Sequence, residues 1–386
     1  MRRTLVPRME PYVSSIFGEM STLAALTGAV NLGQGFPDTD GPHEIKEIAR
    51  AAIADGRGNQ YPPVHGLPDL REAIADHQQR FYGLTLDPGT DVVVTTGASE
   101  AIQSSLLALC DQHDEVLVFE PWFDIYAVGI DLSRARRVSV PLRPPAFRPD
   151  IDALRDAITD RTRLLLLNSP HNPTGVVFTR EELQAIADLA IEHDLIVLAD
   201  EAYEHLWYDG HPHIPIATLP GMAERTVTVG SAGKSFSFTG WKVGWASGPT
   251  DLIRAVRAVR QHLSFVSGGP FQYAIAHGLR MPDSYFESFR HGLAAQRDIL
   301  TTGLRDLGFT AVESEGTYFL TTDLGPFTDY PDALALARDL PHRAGVVAIP
   351  LQSFCDHAGV GDAALRWAYC KRPEVLREAL DRLGRA

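Results

Sequence analysis

Four residues whose types could do joint chemistry stand at the ends of apolar runs. Lys234 lies in SAGKSFSFTGWKVGW, Ser231 to Trp245, directly after the run TVTVG. Asp200 closes the run in LIVLADEAY, Tyr203 follows three residues on, and Asn172 sits in NSPHNPTG, Asn168 to Gly175, after RLLLL. In open parallel sheets, ligands bind outside the carboxyl ends of the strands, which would bring all four to one crevice. A lysine amine placed there can condense with an aldehyde and later act as acid and base at a substrate carbon. A fixed carboxylate can keep a pyridine nitrogen protonated, because an opposite charge close by favours the charged form. The Tyr203 hydroxyl and the Asn172 amide can both donate to a phenolic oxygen on the same ring. Those are the requirements of pyridoxal 5′-phosphate (PLP) held as a Schiff base on Lys234. Singly, each residue has a plainer reading: a solvated lysine, a core tyrosine, a common NPxG turn. Their combination is what points to chemistry.

A phosphate needs positive charge and free backbone donors. Gly97, Ala98 and Ser99 follow DVVVTT and open a helical stretch from Glu100 to Cys110, so a dianion would meet unpaired N–H groups at a helix N-terminus. Ser231 and Lys242 add a hydroxyl and a cation. A strand, a small-residue turn and a helix occur widely, so the cradle counts only beside the other residues.

These residues must be positioned by elements, and the middle of the chain supplies them. Short apolar runs near positions 91, 115, 163, 195 and 226 read as buried strands. Between them lie amphipathic stretches such as Thr179 to His193, with Leu183, Ile186, Ala187 and Ala190 on one face and acidic residues in the first turn. This alternation predicts an α/β fold with a mainly parallel sheet covered on both faces. The ends differ. Residues 1–45 are Pro- and Gly-punctuated, and the last hundred hold a helical pattern from Phe286 to Leu307 with short strands in TYFLTT and VVAIP. The expectation is a large domain over 46–280 and a smaller α+β unit built from an N-terminal arm, 1–45, and a C-terminal part, 281–386.

Composition limits the alternatives. The chain has 386 residues, 45% hydrophobic and 22% charged, which suits a globular protein. With 35 basic against 49 acidic residues the formal charge is −14, so the footprint of a nucleic-acid binder is missing. Cys110, Cys355 and Cys370 show no CxxC spacing, which suggests neither a disulfide framework nor a zinc site and fits a reducing, cytoplasmic setting. The opening MRRTLVPRMEPYVSSIF lacks a signal-peptide core, and no stretch approaches the roughly 20 apolar residues of a membrane span.

Nearly the whole chain resembles the class I, fold-type I, PLP-dependent aminotransferases. The motifs run in that family's order: NLGQGFPD from Asn31, NQYPPVHG, TTGASEA, EPWFDIY, NSPHNPTG, DEAYEHL, SAGKSFSFTGWKVGW, GTYFL and LRWAYCK. The form of the lysine motif is most similar to the branch holding kynurenine aminotransferase, glutamine transaminase K, methionine aminotransferase and N-succinyldiaminopimelate aminotransferase. The resemblance implies that Lys234 carries PLP, Asp200 pairs with its ring nitrogen, Asn172 and Tyr203 bind its phenolic oxygen, and Ser231 and Lys242 anchor the phosphate. It implies further that Phe123 stacks on the ring, with Trp122 as the alternative one place away. Arg366 would clamp the substrate carboxylate, with the Gly35 backbone beside it. The family completes its sites across a homodimer, so Tyr61 is implied as a phosphate ligand and Phe265 as a pocket aromatic reaching the partner chain. Phe17 aligns with a pocket aromatic of its own chain, where many kynurenine-type relatives carry tryptophan.

The activity implied is ping-pong transfer of an α-amino group from N-succinyldiaminopimelate, glutamine, methionine or an aromatic amino acid to a 2-oxo acid. β-Elimination from cysteine conjugates is the alternative on the same cofactor. A non-catalytic PLP-binding regulator is the alternative from another class, disfavoured because only about 30 residues precede NLGQGFPD and the chain is acidic.

Overall fold

A computed structural model describes residues 4–386; Met1 to Arg3, the start of the opening stretch MRRTLVPRMEPYVSSIF, lie outside the described residues. Seven strands make the large sheet: β1 (Val92–Thr96), β2 (Glu115–Glu120), β3 (Arg136–Pro141), β4 (Thr162–Asn168), β5 (Ile196–Asp200), β6 (Thr226–Ser231) and β7 (Val243–Ser247). Their spatial order is β1-β7-β6-β5-β4-β2-β3. Strand β7 runs antiparallel to both its neighbours, and the other pairs are parallel. All of β2, β5, β6 and β7 is buried, as strands covered by helices on both faces must be.

The connecting helices form where the pattern predicts them. Arg180–Glu192 starts in a capping box: the Glu182 N–H donates to Thr179 Oγ1 at 3.2 Å, and the Thr179 N–H donates to the Glu182 carboxylate at 2.8 Å. Its inner face buries Leu183, Ile186, Ala187, Leu189 and Ala190. Strands β1, β2, β4, β5 and β6 fall on the five apolar runs read from the sequence, but β3 and β7 carry no strong apolar run and do not stand out in it.

The two ends of the chain meet. Val30–Asn31 pairs in parallel with Val346–Val347, and Ile349–Pro350, Leu365–Ala368 and Phe319–Thr322 form a three-stranded antiparallel sheet. Helices Ile16–Thr27, Asp283–Asp306, Ala333–Arg343 and Pro373–Leu383 surround these strands. One buried cluster runs from Val93, Leu164 and Leu198 of the large sheet into Ile349, Leu365 and Trp367, so the terminal elements share a core with the sheet. Among the described residues no helix is long and apolar enough to cross a membrane.

Candidate active site

The carboxyl ends of β1, β4, β5 and β6 open on one side of the sheet. Strand β1 runs straight into the helix Gly97–Leu109, and β6 into the short helix Ala232–Ser235 that carries Lys234. Because β7 is antiparallel, its beginning lies at these same ends: Val243 pairs with Thr96 and Gly244 with Ser231. Lys242, the residue before it, is thereby delivered beside the first turn of the Gly97–Leu109 helix, where its Nζ donates to Ser99 Oγ at 3.2 Å. The approach is close enough to require glycine: a Cβ on Gly244 would stand 2.5 Å from the Ala98 nitrogen. Gly97 has φ +72°, a left-handed turn that glycine adopts freely.

These ends floor a cavity of about 410 Å³. It is lined by Lys234, Asp200, Tyr203, Asn172, Ser231, Lys242, Gly97, Ala98, Ser99 and Phe123 from the large sheet, and by Phe17, Gly35 and Arg366 from the terminal elements. Tyr61 and Phe265 are not brought into it. They lie outside, 80% and 46% exposed, with their rings edge to face at 5.3 Å. Of the two adjacent aromatics, Phe123 lines the cavity, while Trp122 is buried with the Arg137 guanidinium 4.7 Å above its ring.

Asp200 is fixed from three sides. Its Oδ2 accepts from the Tyr126 hydroxyl at 2.6 Å, its Oδ1 from the Ala202 N–H at 3.1 Å, and its backbone carbonyl from the Asn168 amide at 2.8 Å. Burial raises its pKa, against the hydrogen bonds and the Lys234 charge, so a cation placed against the carboxylate would offset the lost hydration. Asn168 also accepts from the Asn172 N–H at 2.8 Å, which ties the exits of β4 and β5 together.

Arg366 is 2% exposed on the strand Leu365–Ala368. Its Nη2 donates to the Gly33 carbonyl at 2.7 Å and its Nη1 to Asn172 Oδ1 at 3.0 Å. Since the guanidinium only donates, Asn172 must present its oxygen there, which leaves its NH₂ for another acceptor. The guanidinium lies 4.0 Å from the Phe319 ring and 5.0 Å from that of Phe17. Among the described residues its buried Nε has no hydrogen-bond partner, and burial lowers its pKa to about 10. A buried cation with an unused N–H suits a carboxylate ligand.

Lys234 Nζ donates to the Tyr318 hydroxyl at 2.7 Å and lies 3.4 Å from the Gly35 carbonyl. Burial lowers its pKa to about 8, with Asp200 opposing and Arg366 and Lys242 adding to the shift. Burial likewise lowers the pKa of Lys242, opposed by Glu100. Tyr126 and Tyr318 were not singled out from the sequence. Tyr126 stands one helical turn beyond Phe123, a spacing that points both at the same site, whereas nothing in GTYFL distinguishes Tyr318 from a core tyrosine.

The donor set fits PLP. Helix N–H groups, Ser99 and Lys242 suit a phosphate, the buried Asp200 carboxylate suits a pyridinium, the free Asn172 amide suits a phenolic oxygen, and Lys234 suits an aldehyde. Such a cavity at the carboxyl ends of a mostly parallel sheet suits an enzyme that works through a carbonyl cofactor. The chain matches the family "Aminotransferase class I and II" over residues 27–383 and belongs to it. It is 48% identical over 389 residues to the protein of Mycobacterium tuberculosis named "Probable N-succinyldiaminopimelate aminotransferase DapC", covering 98% of each chain. It is 36% identical over 370 residues to the methionine aminotransferase of Escherichia coli, covering 96% of this chain and 95% of the other. The solved structure of N-succinyldiaminopimelate aminotransferase from Mycobacterium tuberculosis superposes with a TM-score of 0.96 at 48% identity, covering 99% of both chains. The protein is a PLP-dependent aminotransferase of fold-type I.

Proposed function

We propose that this enzyme takes its amino group from N-succinyldiaminopimelate and passes it to a 2-oxo acid, with Lys234, Asp200, Asn172, Tyr203, Ser231, Lys242, the Gly97–Ser99 turn and Phe123 holding the cofactor. The carrying observation is a likeness that extends over the whole chain: 48% identity to a relative named for that donor, against 36% for the one named for methionine. The donor site has Phe17 at the wall beside Arg366.

When bound, PLP supplies the aldehyde that accepts the amino group and a ring that draws electrons from the substrate Cα. The residues do the rest. Arg366 fixes the α-carboxylate through the N–H it has free, which orients the Cα–H bond toward Lys234. The Lys234 amine, its pKa near 8, takes the proton from Cα as general base and is placed to return it. Asp200, held by Tyr126, keeps a ring nitrogen protonated. Aromatic walls at Phe17, Phe319 and Tyr203 line the cavity and keep water from the face where the proton moves.

We propose also that two chains complete each other's sites. Tyr61 and Phe265 form an exposed aromatic pair outside the cavity of their own chain, which supports their reaching a partner's. The division into a large domain over 46–280 and a unit from both ends, and a cytoplasmic setting in keeping with three free thiols, belong to the same proposal.

The test is the visible spectrum of the PLP-loaded protein, taken after adding N-succinyldiaminopimelate, glutamine, methionine or kynurenine separately with no oxo acid present. N-Succinyldiaminopimelate should bleach the colour at the lowest concentration and highest rate. Faster bleaching by any of the other three would reassign the donor.

A further inference from the structure

We propose that Tyr318, together with the Gly35 carbonyl, is a dock for the amino group of Lys234 whenever that amine is not covalently engaged, and so is a positioning residue for its proton transfers. The proposal rests on the reading of Lys234 as the cofactor-bearing lysine.

The geometry settles the direction of each bond. A phenol has one proton. Tyr318 donates it to the Gly35 carbonyl, so the oxygen that faces Nζ at 2.7 Å accepts from Lys234. The Tyr318 ring is 1% exposed and locked edge to face against Tyr203 at 5.2 Å and Phe319 at 4.8 Å. Its backbone is held too, since its carbonyl accepts from the Tyr369 N–H at 3.0 Å. The Lys234 nitrogen also lies 5.7 Å from the ring centre of Tyr203, where the ring face favours an ammonium.

The titratable and charged groups that face Lys234 are Cys370, Arg366, Asp200, Lys242, Tyr203 and Tyr318. Burial pushes the Cys370 thiol up to about 11, so it is neutral at ordinary pH. Asp200 acts only through space, its oxygens being taken by Tyr126 and Ala202. Among the described residues, the hydrogen-bond acceptors of Nζ are the Tyr318 oxygen and the Gly35 carbonyl. Both belong to the terminal elements, whereas Lys234 belongs to the large sheet. The dock therefore sets where the amine waits once substrate has displaced it, and holds its proton there.

Removing the Tyr318 hydroxyl takes away a hydrogen bond to the charged form, so the amine should lose proton affinity by about one pH unit. The readout is the rate at which apoprotein captures added PLP, followed by absorbance across pH. Only the neutral amine reacts: its lone pair forms the carbon–nitrogen bond, and the aldehyde oxygen leaves as water. In Tyr318→Phe the midpoint of the rate–pH curve should move down by about one unit. Tyr318→Leu, which removes the same acceptor with another shape, should shift it the same way. Tyr369→Phe is the control: its hydroxyl is bonded to the Thr317 carbonyl at 3.2 Å and to Ser314 at 3.1 Å without touching Lys234, and its midpoint should stay put. Thermal melts of all three variants establish that each is folded. A parental midpoint in folded Tyr318→Phe overturns the dock, as does an equal shift in Tyr369→Phe. Failure of the parent apoprotein to capture PLP would instead overturn the assignment of Lys234.

Discussion

Two groups of buried ionisable side chains hang from one six-residue segment, Asp200 to His205, and they are built in opposite ways. On one side Asp200 and Tyr203 face the cavity with Lys234 and Arg366. On the other, Glu204 and His205 face His77, Gln78 and Tyr82, with Glu201 and His213 behind. There the Nε2 atoms of His77 and His205 meet at 2.8 Å and the Gln78 amide reaches Glu204 at 3.5 Å. Burial raises the Glu204 pKa to about 8 and lowers that of His77 to about 3, while His205 falls well below its ordinary value. All three are therefore uncharged at neutral pH. His77, Glu204 and His205 offer ligand atoms within 4.8 Å of one another, yet two ring nitrogens at 2.8 Å are spaced for a shared hydrogen, closer than the ~3.3 Å between ligands of a tetrahedral zinc. His77 Nδ1 also lacks a hydrogen-bond partner among the described residues, but an unpaired neutral nitrogen costs far less than an unpaired ion, while His213 Nε2 stands 3.1 Å from the Glu201 carboxylate. The cavity keeps its charges: Arg366 stays cationic with an N–H unused, and Lys234 has no carboxylate bonded to it among the described residues. Buried charge with incomplete partners awaits a ligand. Buried groups driven to their neutral forms hold structure.

Replacing Lys234 tests the open side most severely. Lys234→Ala should fold, because the residue lines a cavity and bridges no core layer, and should lose roughly 10⁴-fold or more of turnover, since it removes both the nucleophile and the general base. Circular dichroism and single-turnover assays would show it; turnover within tenfold of the parent would remove Lys234 from the chemistry. Arg366→Lys comes next. Charge is retained but the planar fork is lost, so kcat/KM for the amino donor should fall roughly 100-fold, mostly through KM. A change below threefold would mean that the carboxylate binds elsewhere.

Most of the open side is legible in the sequence because its chemistry is carried by residue types at strand ends. Asp200, Asn172 and Lys234 each follow an apolar run, and apolar runs mark buried strands. The edge strand Arg136–Pro141 escaped because its sequence, RRVSVP, lies half exposed and carries little apolar signal. Val243–Ser247 escaped because glycine and small residues there serve the close approach to Ala98, which costs the pattern its β-branched signature. The roles of Tyr126 and Tyr318 depend on where the phenol oxygens point, and tyrosines in apolar surroundings look alike until the fold orients them. The closed cluster was invisible for another reason: His77 and His205 are 128 positions apart, and only the packing of helix Pro68–Tyr82 against the segment after β5 brings them together.

The smallest effect expected is also the one that tests the contrast most directly, because it asks whether the closed cluster is uncharged. An unfolded glutamate titrates near 4.3, and folded Glu204 near about 8. Between those values the folded chain keeps a proton that the unfolded chain has released, so stability falls as pH rises through the window and levels off above it. The slope is at most about 1.4 kcal/mol per pH unit. His77 and His205 act in the opposite sense, their folded values lying below the unfolded value near 6.5. They add stability as pH rises toward that value and nothing beyond it. The contribution of Glu204 is thus isolated from theirs between about pH 6.5 and pH 8. Glu204→Gln has no proton to lose and can still bond to Gln78. Relative to it, the parent should lose roughly 2 kcal/mol across that interval, read from urea midpoints of both proteins at matched pH. Parallel curves would mean that Glu204 is already ionised at neutral pH, and the closed cluster would then hold an unpaired buried charge just as the cavity does.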